Sequence, residues 1–287
     1  MTPLRSQAVT CLHIRFLGTS AARPIPRWGC TCPQCAAAQT DPRARRTRSA
    51  ILVNGEMLVD AGPDIYAQLG TLPYEHLARI DHIIITHPHA DHYLGLDDLA
   101  ALRRTSRLPV LPLYALADGW DRIESAFRHL IAAEVSQYDR RPFARREMCL
   151  NEPLHLTEGL CVTPLDTHHT QPFTTAGLLI EQKGVRVFYA PDFYHTDPVL
   201  VRPLDLAVLD GSFLTREQMD ARYTPLLEEG QGRHMPIVEE ARWAEEAGAR
   251  RVIFTHIGHL RRTPEEVLSL LPDDRFALAY DGLTVGL

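Results

Sequence analysis

The chain has 287 residues, 45% hydrophobic and 7% aromatic, which is ample for a full globular core. A formal net charge of −6 and a pI near 6.1 exclude a surface that traps nucleic acid in general and leave room only for local basic sites. No run approaches the roughly 18 apolar residues of a membrane span, and Met1 to Thr10 lacks the apolar stretch of a secretory signal, so a cytoplasmic protein is expected.

Taken in order, Cys11 to Gly18 alternates well enough for a first strand and ends in Gly18-Thr19-Ser20. His13 here, and His82 later, fall inside strand-like runs and read as structural. Ala21 to Gly29, rich in Pro and Arg, is an irregular loop leading into Cys30-Thr31-Cys32-Pro33-Gln34-Cys35. Three of six cysteines packed this closely suit a metal site better than a disulfide framework in a reducing compartment. CxCxxC supplies three thiolates, one short of a closed structural zinc site, so a fourth ligand must come from elsewhere. Cys11, Cys149 and Cys161 sit in apolar surroundings and read as buried small hydrophobes.

Arg43, Arg45, Arg46 and Arg48 follow; they could meet a phosphate, but a solvated loop is the simpler reading. Ser49 to Val53 and Met57 to Asp60 flank Asn54-Gly55-Glu56, a hairpin signal. The apolar run Ile83-Ile84-Ile85 reads as a buried strand and delivers Thr86-His87-Pro88-His89-Ala90-Asp91-His92 at its end. Imidazole and carboxylate together suit zinc, manganese or iron, and the alternation of His87 with His89 lets both face one ion while Asp91 and His92 turn toward another.

Leu94 to Arg104 has helical periodicity, Val110 to Ala115 reads as a strand and Asp118 to Leu130 as an amphipathic helix. Three later strands, Leu160 to Leu165, Val187 to Ala190 and Arg251 to Thr255, run into Asp166-Thr167-His168-His169, Pro191-Asp192 and His256-Ile257-Gly258-His259. Four strand ends therefore carry His or Asp, as a site assembled at one rim of a sheet demands. With no Gly- or Ser-rich linker and no repeat, residues 1–287 are expected to form a single domain.

His87-Pro88-His89-Ala90-Asp91-His92 resembles the HxHxDH signature of the metallo-β-lactamase superfamily. The resemblance implies an α/β fold, the αβ/βα sandwich of two mixed β-sheets face to face with helices on the outer faces, and a site for two divalent metals, zinc or manganese. By that pattern His87, His89 and His169 (with His168 as the competing choice) would hold one ion, Asp91, His92 and His256 the other, and Asp192 would bridge them. Asp60-Ala61-Gly62 resembles the superfamily's first motif, whose Asp steadies the metal loop through hydrogen bonds. HIGH at 256–259 also matches an aminoacyl-tRNA synthetase signature, but it lies near the C-terminus without a KMSKS-like partner. His259 is instead the natural fourth ligand for Cys30, Cys32 and Cys35 in a structural zinc site that clamps the N-terminal loop, about residues 29–36.

A narrower resemblance rests on Trp28 to Cys35, Thr86 to Gly95, Thr163-Pro164-Leu165 ahead of His169, Thr255 to His259 and Asp281 to Gly286. These are similar to the PhnP family of phosphoribosyl 1,2-cyclic phosphate phosphodiesterases. That resemblance implies hydrolysis of a small cyclic phosphodiester, phosphoribosyl 1,2-cyclic phosphate or a 2′,3′-cyclic nucleotide, by a metal-bridging hydroxide. It also implies His234 as the proton donor, with Asp91 orienting the attacking water. The segment from Gly211 to Arg233, carrying Glu217, Asp220, Glu228 and Glu229, is longer than that family suggests and would border the pocket. Two alternatives share the motifs: an RNA-processing nuclease like the tRNA 3′-end endonucleases, and a pyrroloquinoline-quinone biosynthesis B-like protein. The acidic balance and the lack of an inserted arm count against a nucleic-acid partner. A homodimer is compatible with such enzymes.

Overall fold

The computed structural model describes residues 12–131, 141–170, 172–219 and 234–287. Two seven-stranded sheets organise them. One contains β1 (His13–Gly18), β2 (Ala50–Val53), β3 (Met57–Val59), β4 (His82–Ile84), β5 (Leu111–Ala115), β6 (Phe143–Glu147) and β14 (Thr284–Gly286), in the order β14-β1-β2-β3-β4-β5-β6. The other contains β7 (Leu154–His155), β8 (Cys161–Asp166), β9 (Ala176–Gln182), β10 (Val185–Tyr189), β11 (Leu206–Asp210), β12 (Val252–Thr255) and β13 (Phe276–Leu278), ordered β13-β12-β11-β10-β9-β8-β7. Each is mixed in the same way. Pairing is antiparallel from β14 to β3 and from β7 to β10, and parallel from β3 to β6 and from β10 to β13.

The apolar patterning explains the layers. Ile14, Phe16, Val53, Met57 and Ile84 of the first sheet meet Val162, Leu178, Ile180, Val187 and Val208 of the second in the central layer. The opposite face of the first sheet, through Leu52, Leu58, Ile83 and Leu113, packs against Ile65, Leu96, Leu99, Trp120 and Ile123 of the helices Ile65–Leu69, Leu96–Thr105 and Ala117–Ile131. The outer face of the second sheet, through Phe188, Ala207, Leu209 and Phe254, is covered by Ile237, Ala241, Trp243 and Ala244 of the helix Ile237–Glu246. Strands covered on both faces need apolar residues at every position, which is why β2, β3, β11 and β12 are buried throughout. The result is the αβ/βα sandwich expected from the motif.

The Asn54-Gly55 signal forms its hairpin: Asn54 and Gly55 have φ of 54° and 73°, and Glu56 N–H donates to the Val53 carbonyl at 2.9 Å. Two positive φ values in a row define the turn whose twist matches the strands. The helix Ala117–Ile131 is broken at Phe127, where φ is −131° and ψ 34°.

Three readings need correction. Cys149 is exposed, because it lies beyond the end of β6 rather than on a strand face. Cys161 is half-buried, because it opens β8 at an outward position of the pleat. The arginine run is solvated only in part: Arg43 and Arg45 are exposed, as expected, whereas Arg46 and Arg48 are not. Arg46 is 5% exposed, donating to Thr19 Oγ1 and the Ala279 carbonyl. Arg48 pairs with Asp64 at 3.0 Å, and Arg45 donates to the Ala38 carbonyl. The Arg46 guanidinium satisfies acceptors that would otherwise be buried without a donor. Cys11, Asp220, Glu228, Glu229 and Arg233 lie outside the described residues. Among the described residues no helix is long and apolar enough to cross a membrane.

Candidate metal centres

The rim of the sandwich gathers its candidate ligands from strand ends. β4 runs into His87 and His89, then into one helical turn, Ala90–Tyr93, that turns Asp91 and His92 inward. β8 leads to His169, β10 to Asp192 and β12 to His256. All of these except His89 are buried, and His89 is half-buried. His87 Nε2 lies 2.8 Å from His89 Nδ1, and His87, His89 and His169 form one set able to hold a cation. Asp91, His92 and His256 form another, with Asp91 Oδ2 3.3 Å from Nε2 of both histidines.

Asp192 stands between the sets. Its Oδ1 is 3.4 Å from His169 Nε2, while its Oδ2 is 2.9 Å from His92 Nε2 and 3.4 Å from His256 Nε2. Despite that proximity, neither Asp192 Oδ2 nor His92 Nε2 has a hydrogen-bond partner among the described residues. Buried lone pairs aimed at a common point without a donor between them are costly for a protein and suited to a cation. The donor set of imidazoles and carboxylates likewise fits zinc, manganese or iron. His168 is elsewhere: exposed, with its Nδ1 2.9 Å from Asp166.

A surrounding layer of hydrogen bonds aims these ligands. Asp60 accepts from Thr86 N–H at 2.8 Å and contacts His92 Nδ1 at 2.8 Å, so one fully buried carboxylate braces the loop and fixes a ring. Ser212 Oγ lies 3.0 Å from His256 Nδ1. Asp60 and His256 both adopt left-handed backbone, with φ of 66° and 51°. Such conformations cost on the order of 1 kcal/mol each and concentrate at functional sites. Gly62 has no room for a side chain, since a Cβ there would sit 2.0 Å from the Asp91 carbonyl oxygen. Gly258 is required similarly by the Ser212 carbonyl at 2.0 Å, so the HIGH stretch is explained by packing.

His234 lines the same site, its ring centroid 4.5 Å from that of His169 and 5.4 Å from that of Phe213. Its Nδ1 is 2.5 Å from Asp210 Oδ2. Asp210 was not singled out from the sequence, nor was Ser212 as a functional residue. The signal existed: Asp210 closes the apolar run Leu206 to Leu209 at the same rim as Asp192.

Electrostatics divide the rim. Burial depresses His87 and takes His169 down to about 3, leaving both neutral and able to donate lone pairs. Burial opposes ionisation of Asp192, yet His256, His169 and His92 hold it well below the usual carboxylate range. Burial also works against His256, but Asp192, Asp210 and Asp91 carry it up to about 10. Asp210 is likewise held down to about 2, burial being outweighed by His234 and His256. Behind Asp210, Glu240 is pushed well above its ordinary value by burial and then by the Asp210 charge.

The second cluster joins Cys30, Cys32, Cys35 and His259. The three sulfurs lie 3.4, 3.2 and 3.4 Å from His259 Nε2. A tetrahedral zinc with bonds of about 2.3 Å to sulfur and 2.0–2.1 Å to nitrogen spaces its ligands by about 3.5 Å, so the four atoms fit that ion. Gln34 Nε2 donates to the Gly258 carbonyl and Gln34 Oε1 accepts from Arg261 N–H, tying the cysteine segment to the strand end that carries His256.

Between the clusters opens a cavity of about 410 Å³ lined by His89, Asp91, His169, Asp192, His234, His256 and His259, and also by Ser212, Phe213, Arg23 and Arg27. Residues 56–257 match the beta-lactamase superfamily domain. The chain belongs to that superfamily. It is a metallo-β-lactamase-fold hydrolase by family and architecture. Among its relatives, coenzyme PQQ synthesis protein B of Methylobacterium sp. strain 4-46 is 30% identical, over 95% of this chain and 99% of that one. Among solved structures, a diphosphatase from the PhnP family superposes with a TM-score of 0.76 at 25% identity, covering 96% of this chain and 97% of the other. Zinc-bound PqqB from Methylobacterium extorquens gives 0.73 at 24%, covering 96% and 100%.

Proposed function

We propose that this protein is a two-metal phosphodiesterase acting on a small phosphorylated substrate, of the phosphoribosyl cyclic phosphate or 2′,3′-cyclic nucleotide kind. The observation that carries the reading is Asp192, whose two carboxylate oxygens face two separate histidine sets beside an open cavity. His87, His89 and His169 would hold one zinc or manganese ion, Asp91, His92 and His256 the other, and Asp192 both. When bound, such a pair supplies a nucleophilic water of lowered pKa and neutralises charge gathering on the phosphoryl oxygens.

The protein's own groups would do the rest. Asp91, on the cavity wall, is placed to accept a hydrogen bond from the attacking water and so orient it. With the Nδ1 of His234 committed to Asp210, Nε2 would be the atom left for substrate, and from the imidazolium form it would hand a proton to the departing alkoxide, leaving the neutral ring. Phe213 packs beside that ring and limits water at the leaving-group side. A cavity of this size fits a small ligand better than a folded RNA.

The test is hydrolysis of bis(p-nitrophenyl) phosphate, p-nitrophenyl phosphate and a nucleoside diphosphate by metal-reconstituted wild type, Asp91→Ala and His234→Ala. Diester turnover that is lost in the first variant and falls sharply in the second supports the reading. No diester turnover with both rim metals bound overturns it. A second reading, a protein of the coenzyme PQQ synthesis B type, is favoured by the 30% identity extending over nearly the whole chain. Three metals per chain fit the diesterase, whereas a single metal favours that alternative.

A further inference from the structure

The rim takes His169 and leaves His168 outside, its side chain 58% exposed, in a setting that neither metal centre explains. Its backbone is left-handed, with φ of 51°, which is uncommon for a residue with a Cβ. Asp166, the last residue of β8, grips it twice: Oδ1 accepts from His168 N–H at 2.8 Å, and Oδ2 lies 2.9 Å from His168 Nδ1. The ring of His195, an exposed residue beyond β10, meets that of His168 with centroids 6.3 Å apart and planes within 14° of parallel. Among the described residues these are the only two histidines outside the rim and the clamp whose rings meet. The ring nitrogens of His195 have no hydrogen-bond or ion-pair partner there.

Four hydrogen bonds fix the two segments against each other. The Thr167 carbonyl accepts from Tyr194 N–H at 3.1 Å and from His195 N–H at 2.9 Å. Thr167 Oγ1 donates to the Asp192 carbonyl at 2.8 Å, and Thr196 Oγ1 to the Asp166 carbonyl at 2.7 Å. The backbone positions of His168 and His195 are thereby set by the strand ends, and a ligand between them has only side-chain torsions left to order.

We propose that His168 and His195 form a further, exchangeable site for a late first-row divalent cation such as zinc, separate from both clusters. Imidazole suits such ions. A ligating imidazole characteristically has its other ring nitrogen held by a carboxylate, which orients the ring and raises its basicity. Asp166 does this for Nδ1 and so assigns Nε2 of His168 to the cation. Zn–N bonds of about 2.0–2.1 Å put the centroids of two imidazoles on one ion roughly 5–6.5 Å apart, and the observed 6.3 Å lies within that span. Water completes the shell, so this ion exchanges more readily than one enclosed by the buried rim ligands. A cation here bridges the segments beyond β8 and β10, which also carry His169 and Asp192, and restrains both. Such a site needs no substrate, and it stands whether or not the protein is a phosphodiesterase.

The test is calorimetric titration of Zn²⁺ into the full-length protein with the metals it retains through desalting. Wild type is expected to bind one further equivalent per chain, and excess Zn²⁺ to raise its Tm. His195→Gln should lose that equivalent and that rise in Tm while the retained metals stay at the wild-type number per chain. His168→Asn, chosen because asparagine tolerates left-handed backbone, should do the same. Asp166→Asn should weaken the site about 10–100-fold. No further equivalent in wild type overturns the proposal. A further equivalent that persists in the His168→Asn/His195→Gln double variant marks an adventitious ion only, elsewhere on the surface, and overturns it equally. Loss of a retained metal in His168→Asn would place His168 among the rim ligands and overturns it as well.

Discussion

The rim cluster and the Cys3His cluster use the same kinds of side chain but are built by opposite means. At the rim every ligand follows a strand or the turn beyond it, is buried or nearly so, and leans on a further hydrogen bond such as Asp60 to His92 or Ser212 to His256. Sheet pairing sets those positions whether or not a cation is present. In the other cluster Cys30 and Cys32 lie in a loop, Cys35 in the helix Pro33–Thr40, and His259 beyond β12, and three of the four ligands are only half-buried. Neighbouring Trp28 is fully exposed and adds no apolar packing to that loop. The rim is therefore a site organised by the fold, and the clamp is a piece of fold organised by its ligands.

The sharpest way to break this contrast is Asp192→Ala. It should remove rim metal and take diester turnover below detection while the clamp metal stays, read by elemental analysis per chain. Loss of all three metals would mean that the clusters are not independent. Next in size, His234→Ala should lower kcat/KM by roughly 10²–10⁴-fold with metal content unchanged. Asp210→Asn should cost about 10–100-fold by freeing the ring it orients. A fall in bound metal in either variant would place His234 among the ligands instead.

Cys32→Ser probes the other side of the comparison. It should release one metal per chain and lower Tm on the order of 5–10 °C, since an ordering ion contributes directly to folding. Both rim metals should remain. Unchanged Tm would show that the loop holds without its ion.

The smallest effect concerns Glu240, a fully buried carboxyl behind Asp210 whose two oxygens have no hydrogen-bond partner among the described residues. Its folded pKa lies above the unfolded value, so the folded state binds the proton more tightly. Its contribution is intact below the unfolded pKa near 4.5 and is lost as pH rises through the folded pKa. Glu240→Gln, which cannot ionise, should therefore gain in Tm over wild type progressively from pH 5 to pH 9. A difference independent of pH would contradict this.

Much of this was legible in the chain because short motifs encode local geometry. An apolar run followed by His87 to His92, Asp192, His169 or His256 announces a strand end bearing ligands, and CxCxxC with HxxH announces a clamp. Less legible was anything decided by pairing in space. Asp210 follows its strand just as Asp192 does, but only the parallel alignment of β10, β11 and β12 brings it to His234. His168 and His169 are neighbours in sequence with identical chemistry, and the left-handed backbone at His168, φ 51°, turns one outward while the other enters the site. Arg46 misled because a charged run usually seeks solvent, whereas this side chain finds its acceptors just past the ends of β1 and β13, at Thr19 and Ala279.

By itself, then, the sequence determined the strand ends, the two ligand types and the rim at which they collect, since periodicity and spacing are properties of neighbouring residues; the sandwich was what the resemblance implied. Tertiary structure alone decided which histidine meets Asp210, that Arg46 reaches Thr19 and Ala279, and that Arg23 and Arg27 share a cavity with His89 and His256. Those relations join residues separated by tens to hundreds of positions, and they exist only once two sheets have closed on a common core.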